Sequence, residues 1–509
     1  MFAQVNTFLL AGVEAQPVKV EVDIQAGLPY FEIVGLASTA IKEARERVRA
    51  AIKNSGFEFP NRKIIVNLAP ADQRKEGSHF DLAIAWGILV ASEQVAPARA
   101  ASFFLTGELS LNGETRPVPG VLPMLIKLAA EFPSADFVVP QANLREARLI
   151  IEVNTVGVAD LQELADFMQG GQRSAQEPKM SNFAPVIEEI PDFSEVHGQE
   201  TAKRALEIAA AGRHNILMIG APGGGKTMLA RRLPGIMPTM TRAEILSATQ
   251  IYSVANLLLP EQPLIQERPF RAPHKNASAA SIIGGGRVPL PGEISLAQHG
   301  VLFSDEMPEF SRDVLEALRQ PLEDKQVTIA RTTATLTYPA DFLLVGAMNP
   351  CPCGNFGSDK ECRCTPWQIQ RYLQRLSGPL LDRIDLQVEV PRVSYDKLSQ
   401  TDVPETSARI RSRVEAAWQI QQIRFADSST KVNAQIKPRE LNRFCHLHAG
   451  ARQLLKNAFE RLGMSARAYS RVLKISRTVA DLAGSENIEE IHVAEALQYR
   501  SLDKKYWCI

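Results

Sequence analysis

The chain is poor in cysteine and carries no excess charge of either sign. Six cysteines are spread through 509 residues, and 57 Lys+Arg are balanced by 57 Asp+Glu. A disulfide scaffold needs far denser cysteine, so that class is excluded. A global basic field that gathers nucleic acid is excluded too, so any such contact must come from local patches. No apolar run reaches the ~18 residues that a membrane-crossing helix needs. The opening "MFAQVNTFLLAGVEAQ" lacks the basic leader and apolar core of a secretion signal. These absences lead us to expect a cytoplasmic protein with no membrane segment. What is present is ordinary for a globular chain, 45% hydrophobic and 22% charged, with a length that fits roughly three to four domains.

Periodicity divides the chain into blocks. In residues 1–167, "VKVEVDIQ" alternates like a strand, "RKIIVNLAP" and "ADFVVP" read as short strands, and "IKEARERVRAAIKNSG" and "DLAIAWGILVAS" read as helices. This is a mixed α/β domain. Residues 168–190 are rich in Gly, Pro, Ser and Gln and read as a linker. From 191 to 392, a helix, the strand "NILMIG", a glycine loop and a second helix open a parallel α/β core. Residues 393–509 read as a helical domain with breaks near Pro438, Gly450 and Gly463.

"GAPGGGKT" fits the pattern G-x-x-x-x-G-K-[ST]. Gly220, Gly223, Gly224 and Gly225 would let backbone N–H groups turn onto phosphate oxygens, at the positive end of the helix that follows. Lys226 would reach the β- and γ-phosphates, Thr227 would hold Mg²⁺, and Met228 follows at the helix start. The strand "GVLFSDEMPEF" ends in two acids. Asp305 would join the Mg²⁺ shell and Glu306 would polarise the attacking water. "ADFLLVGAMNP" is another apolar strand, ending at Asn349, where an amide would orient that water. The plain alternatives are a solvated acidic strand end and a turn asparagine before Pro350.

P-loop, acidic strand and post-strand asparagine, in this order, resemble an AAA+ ATPase. "RPFRAPHKNASAASIIGGG" and "SGPLLDRIDL" resemble its magnesium-chelatase-like branch, related to the MCM helicases. With the first block included, nearly the whole chain is similar to the YifB/ComM family. The resemblance implies a hexameric ring with ATP at subunit interfaces, a helical lid, and a helicase that migrates DNA branches during transformation. It further implies that Arg383 is an arginine finger reaching the neighbour's γ-phosphate, suited to charge spread over phosphoryl oxygens. Arg467 matches the lid's sensor 2, with Arg471 one turn further as a substitute and Lys474 on the same face. The alternative for Arg383 is a structural pair with Asp382 or Asp385.

The first block resembles the Lon protease domain in "RKEGSHFDLAIA" and "LTGELSLNGETRPVPGVLPMLIKLAA". Laid on that family, His79 stands where the nucleophilic serine belongs and Leu122 where the lysine belongs. Ser78 is one position off and Lys127 too far along. Without an amine to accept the proton, serine attack has no base, so no peptidase chemistry is expected. In "KEARERVRAAIK" the basic residues face DNA or make a solvated, ion-paired face.

Two further DNA candidates are Lys325, expected at the turn of the hairpin "LEDKQVTIARTTATLTYP", and Arg287, beyond the glycines of "SIIGGGRVPLPGE". Either segment serves equally as a subunit contact. Cys351, Cys353, Cys362 and Cys364 make C-x-C-x8-C-x-C. Two close pairs of thiolates suit a closed tetrahedral zinc site of structural kind. The usual spacing is C-x2-C, and free thiols are the alternative. The reading as a whole is an ATP- and Mg²⁺-dependent motor on single-stranded and branched DNA, assembled as a homo-hexamer. A chelatase motor subunit and a protein-remodelling ATPase are its rivals. The Lon-like block is set against the chelatase reading.

Overall fold

The computed structural model describes residues 1–36, 39–95, 103–170, 190–259, 261–286, 289–330, 335–357, 360–393, 404–502 and 506–507. The expected linker falls mostly on 171–189, outside the described residues.

The chain begins with a hairpin. Phe2–Ala11 and Glu14–Gln25 pair antiparallel from Phe2↔Asp23 to Ala11↔Glu14. Gly12 turns between them at φ +68°, a left-handed setting that glycine takes without steric cost. Along the second strand Val18, Val20, Val22 and Ile24 are buried while Lys19, Glu21 and Asp23 are more open, the period of a strand with one face on a core. The full sheet runs Tyr30–Val34, Lys63–Ala69, Glu14–Gln25, Phe2–Ala11, Phe103–Leu105, Asp136–Pro140, Thr155–Val158.

Apolar clusters cover both faces of this sheet. Thr39–Asn54 and Asp81–Ala91 pack on one, with Val121–Glu131 on the other. Thr39–Asn54 buries Ile41, Ala44, Val48, Ala51 and Ile52 along one stripe and leaves Arg45, Arg49 and Lys53 exposed. Arg47 is not on that open face. Its Nε donates to Asp81 Oδ2 at 2.8 Å. The first block meets the second through helix Arg242–Val254, where the Gly120 N–H donates to Ser253 O at 3.1 Å.

In the second block a parallel sheet runs Phe270–Arg271, Val301–Ser304, Leu343–Met348, Ile216–Ile219, Leu386–Glu389. Ile216–Ile219 is an interior strand and wholly buried, as expected for a strand covered on both faces. Truncating Leu217 to alanine is expected to cost about 2–5 kcal/mol. The C-terminal helices Ser407–Arg424 and Ala466–Leu482 share one apolar cluster with Glu200–Gly212 and this sheet. Lid and core therefore have a common interior on that face.

The break expected near Gly450 falls just before it, between helices Leu441–Phe444 and Ala449–Leu462, and Gly463 ends the second of these at φ +60°. One expectation needs correction. Lys325 is not at the hairpin turn. Strands Gln326–Ala330 and Thr335–Pro339 pair from Gln326↔Pro339 at the base to Ala330↔Thr335, so the turn falls on 331–334, outside the described residues. Lys325 caps the preceding helix at φ +58° and makes an ion pair with Asp341 at 3.4 Å. The reason is local. Hairpin pairing begins one residue after the helix, which leaves Lys325 as the hinge between them. Arg287 also lies outside the described residues.

Candidate active site

Strand Ile216–Ile219 delivers the chain to a turn that tolerates no side chain at its first residue. A Cβ on Gly220 would sit 2.1 Å from Val390 O. Gly223 and Gly225 hold φ +79° and +88°, and Gly225 precedes helix Lys226–Ile236. Lys226 Nζ donates to Gly220 O at 2.6 Å, Ala221 O at 3.1 Å and Asn349 Oδ1 at 3.3 Å. Burial lowers the pKa of this ammonium, and the carboxylates of Asp305 and Glu306 oppose that shift. Thr227 Oγ1 donates to Asp305 Oδ2 at 2.8 Å. A cavity of about 420 Å³ is lined by Pro222 to Met228, Asp305, Glu306, Met348 and Asn349. P-loop, acidic pair and asparagine thus meet around one space, at the C-terminal ends of three adjacent parallel strands.

Some residues here were not singled out from sequence. Lys275 Nζ donates to Glu306 Oε2, and Glu306 itself sits at φ +48°. Lys275 belongs to the "RPFRAPHK" stretch, but only the fold brings that stretch back beside Val301–Ser304. Gln199 Nε2 donates to Gly224 O at 3.1 Å and Pro391 O at 2.6 Å, tying the P-loop to the end of the neighbouring strand. A polar residue just before a helix gives little warning of such a role.

Arg383 and Arg467 are not in this cavity. Leu386–Glu389 runs parallel to the P-loop strand in the register Ile216↔Leu386. Arg383 precedes its strand, whereas the P-loop follows its own. The two are therefore at opposite ends of the sheet, separated by roughly 13 Å of strand at ~3.3 Å per residue. Arg383 Nη1 donates to Pro379 O at 2.7 Å, and its Nη2 pairs with the Glu323 carboxylate. The alternative partners for Arg383, Asp382 and Asp385, instead receive the lid arginines. Arg467 pairs with Asp382 at 3.0 Å, and Arg471 lies 3.7 Å from Asp382 and 3.6 Å from Asp385. Arg467 is 73% exposed, Arg471 10%. Lys474 donates to Ala434 O at 2.9 Å. The lid thus places its arginines beside Arg383, away from the P-loop of its own chain.

The four cysteines converge, with sulfurs all within 4.8 Å of one another. Cys351 lies 3.4 Å from Cys353 and 3.7 Å from Cys362, and Cys353 lies 3.7 Å from Cys362. Sulfurs set tetrahedrally at ~2.3 Å around a zinc ion are about 3.8 Å apart, while a disulfide holds them at ~2.05 Å. The spacing and the all-sulfur donor set fit zinc. The Phe356 N–H donates to Cys351 Sγ at 3.3 Å. Burial pushes the Cys351 thiol up to about 12, and the Asn355 N–H draws Cys353 down to about 6.

In the first block, His79 is buried and its Nε2 lies 3.0 Å from Phe8 O. Leu122 is buried as well. The Ser78 hydroxyl donates to the Glu108 carboxylate, and Lys127 pairs with Glu131 at 2.6 Å. Neither Ser78 nor Lys127 pairs with the other, each being held by a carboxylate.

Three family matches cover most of the chain. Residues 192–398 match the family described as magnesium chelatase, subunit ChlI. Residues 20–143 match subunit ChlI of Mg-chelatase, and residues 404–500 match the ChlI C-terminal family. The chain is 44% identical over 503 residues to the uncharacterized protein YifB of Salmonella typhimurium, spanning 99% of this chain and 97% of that one. It is 44% identical over 495 residues to competence protein ComM of Haemophilus influenzae, spanning 96% of each. Over 90 residues it is 34% identical to the archaeal Lon protease of Methanothermobacter thermautotrophicus, which spans 17% of this chain and 14% of that protein. A chelatase-type core, a Lon-like first block and near-full-length identity lead to one assignment: the chain belongs to the YifB/ComM family of magnesium-chelatase-like AAA+ proteins.

Proposed function

We propose that this protein is a ring-forming ATPase that drives DNA, promoting branch migration of recombination intermediates. The observation that carries the ATPase part is the convergence of Lys226, Thr227, Asp305, Glu306 and Asn349 on one cavity of about 420 Å³. In this reading Thr227 and Asp305 hold Mg²⁺, whose role is to neutralise charge on the phosphate oxygens. Lys226 and the N–H groups of Gly223 to Gly225 bind the phosphates. Asn349 and Glu306 orient the attacking water, and Glu306 takes its proton once free of Lys275. The four cysteines hold a structural zinc.

The opposite placement of Arg383 and the P-loop supports the ring. An arginine that cannot reach its own nucleotide completes a site only in a neighbouring copy. Arg467, beside it on the lid, acts in the same neighbour. The competence role named for ComM supports DNA as the substrate. Lys325, ion-paired at the hairpin base, is a weaker grip on phosphate than a free lysine at the tip.

A second reading, a chelatase motor subunit, is favoured by the match of residues 20–143 to a chelatase-subunit family. The first block therefore does not separate the two readings, contrary to the expectation from sequence. The test is steady-state ATP hydrolysis with no DNA, single-stranded DNA, duplex and a four-way junction at fixed salt, because phosphate contacts weaken steeply with salt. DNA stimulation is expected. A response to porphyrin and none to DNA would select the chelatase reading, and a response to unfolded polypeptide alone would select a remodelling ATPase.

A further inference from the structure

The cysteine cluster and the nucleotide loop are in contact. Cys351 is buried two residues beyond Asn349, whose Oδ1 accepts from Lys226. Gly354 closes the turn of the first cysteine pair at φ +78°, its N–H donating to Cys351 O at 3.0 Å. This glycine lies directly against the P-loop. A Cβ there would stand 2.4 Å from Pro222 Cδ and 2.8 Å from Pro222 Cγ. Further along, the Phe356 ring lies edge-on to Tyr506, and the Tyr506 hydroxyl donates to Glu389 Oε1 at 2.8 Å. Glu389 ends the strand beside the P-loop strand.

None of the described residues between 350 and 365 is helix or strand. Backbone ladders do not fix this segment, so its shape depends on what the thiolates bind. We propose that one tetrahedral divalent metal ion on Cys351, Cys353, Cys362 and Cys364 controls the nucleotide site, through the Gly354–Pro222 contact. The inference rests on the reading of the P-loop as a nucleotide site. With the metal bound, Pro222 has a fixed wall, and the N–H groups of Gly223 to Gly225 keep one aim. Without it the wall loosens, the binding-competent shape is less populated, and the apparent affinity falls by the same factor. The metal takes no part in hydrolysis, because four thiolates leave it no open position.

The experiment uses the full chain, purified under reducing conditions without chelator. Zinc is counted by mass spectrometry, and binding of a fluorescent ADP analogue is titrated in excess Mg²⁺. The titration is repeated after zinc removal and after zinc is restored, with circular dichroism as the check on folding. About one zinc per chain is expected, with roughly tenfold weaker binding on removal and recovery on restoration. Gly354→Val keeps all four thiolates, so it is expected to retain zinc and still bind nucleotide weakly. It also decides the matter should the zinc-free protein unfold. Protein purified without zinc, unchanged affinity in folded zinc-free protein, or unchanged affinity in a zinc-loaded Gly354→Val variant would each overturn the proposal. Zinc-loaded wild-type protein that binds no nucleotide would overturn the P-loop reading itself.

Discussion

Glycine turns in two regions of this molecule are followed by different side chains. In the core, Gly220 to Gly225 lead to Lys226, which donates to Asn349, and to Thr227, which donates to Asp305, all lining one cavity. In the first block, Gly77 and Gly120 sit at φ +98° and +75°, as special a backbone as the P-loop's. Yet the side chains that follow are a buried histidine and a buried leucine. Both regions have left-handed glycine turns, and in the core the side chains that follow line an open cavity. A turn of this kind also serves packing. The Gly120 N–H, for example, anchors the first block to Ser253 of the core.

The comparison breaks most sharply at Lys226. Lys226→Ala is expected to lower ATP hydrolysis by more than about 10³-fold, with nucleotide binding weakened in the same titration. Hydrolysis near the wild-type rate would remove the core's side of the contrast. Next comes Arg383→Ala, for which a loss on the order of 10³-fold is expected. ADP binding should be retained, because the residue lies at the far end of its own sheet. Loss of binding in step with hydrolysis would instead make Arg383 a structural partner of Glu323.

The first block is sharpened by pH. Burial holds the His79 imidazole down to about 4 against an ordinary 6.5. Between those values the unfolded chain takes up a proton that the folded chain does not, so stability falls as pH drops through this window. Denaturant titrations should show this histidine removing about 2 kcal/mol between pH 7 and pH 5. His79→Gln should flatten the slope by that amount. An equal slope in the variant would mean that His79 is not the neutral packing residue its burial describes. The smallest effect is expected at Ser78→Ala. ATP hydrolysis should change less than about twofold, and neither form should cleave casein. Casein cleavage lost in the variant would restore a peptidase to the first block.

Much of the nucleotide site was legible in sequence because its parts are local. A phosphate loop must join a strand to a helix, so its glycines, lysine and threonine are contiguous. Asp305 and Asn349 each end an apolar run, and a polar residue closing such a run marks the C-terminal edge of a parallel sheet. The four cysteines were legible for the same reason, two close pairs eleven positions apart. Lys275 and Gln199 were not, because their partners lie far along the chain and neither stands in a pattern of its own. Lys325 was misplaced by a short distance with a large consequence. Periodicity locates a hairpin well but its turn poorly, and here the pairing starts immediately after the helix. The side on which the lid arginines fall also lay beyond sequence reasoning. It depends on how Ala466–Leu482 docks on Asp382 and Asp385, a contact between residues more than eighty positions apart.

The central claim is that the catalytic centre is shared, with the P-loop in one copy and the finger in the next. Equimolar Lys226→Ala and Arg383→Ala subunits test it directly, by ATP hydrolysis on a four-way junction at fixed salt. Each variant alone is expected to be nearly inactive. In mixed rings, the intact P-loop of one variant meets the intact finger of the other, so hydrolysis should reappear well above the sum of the two. A mixture as silent as its parts, with mixed assembly verified, would contradict a shared site.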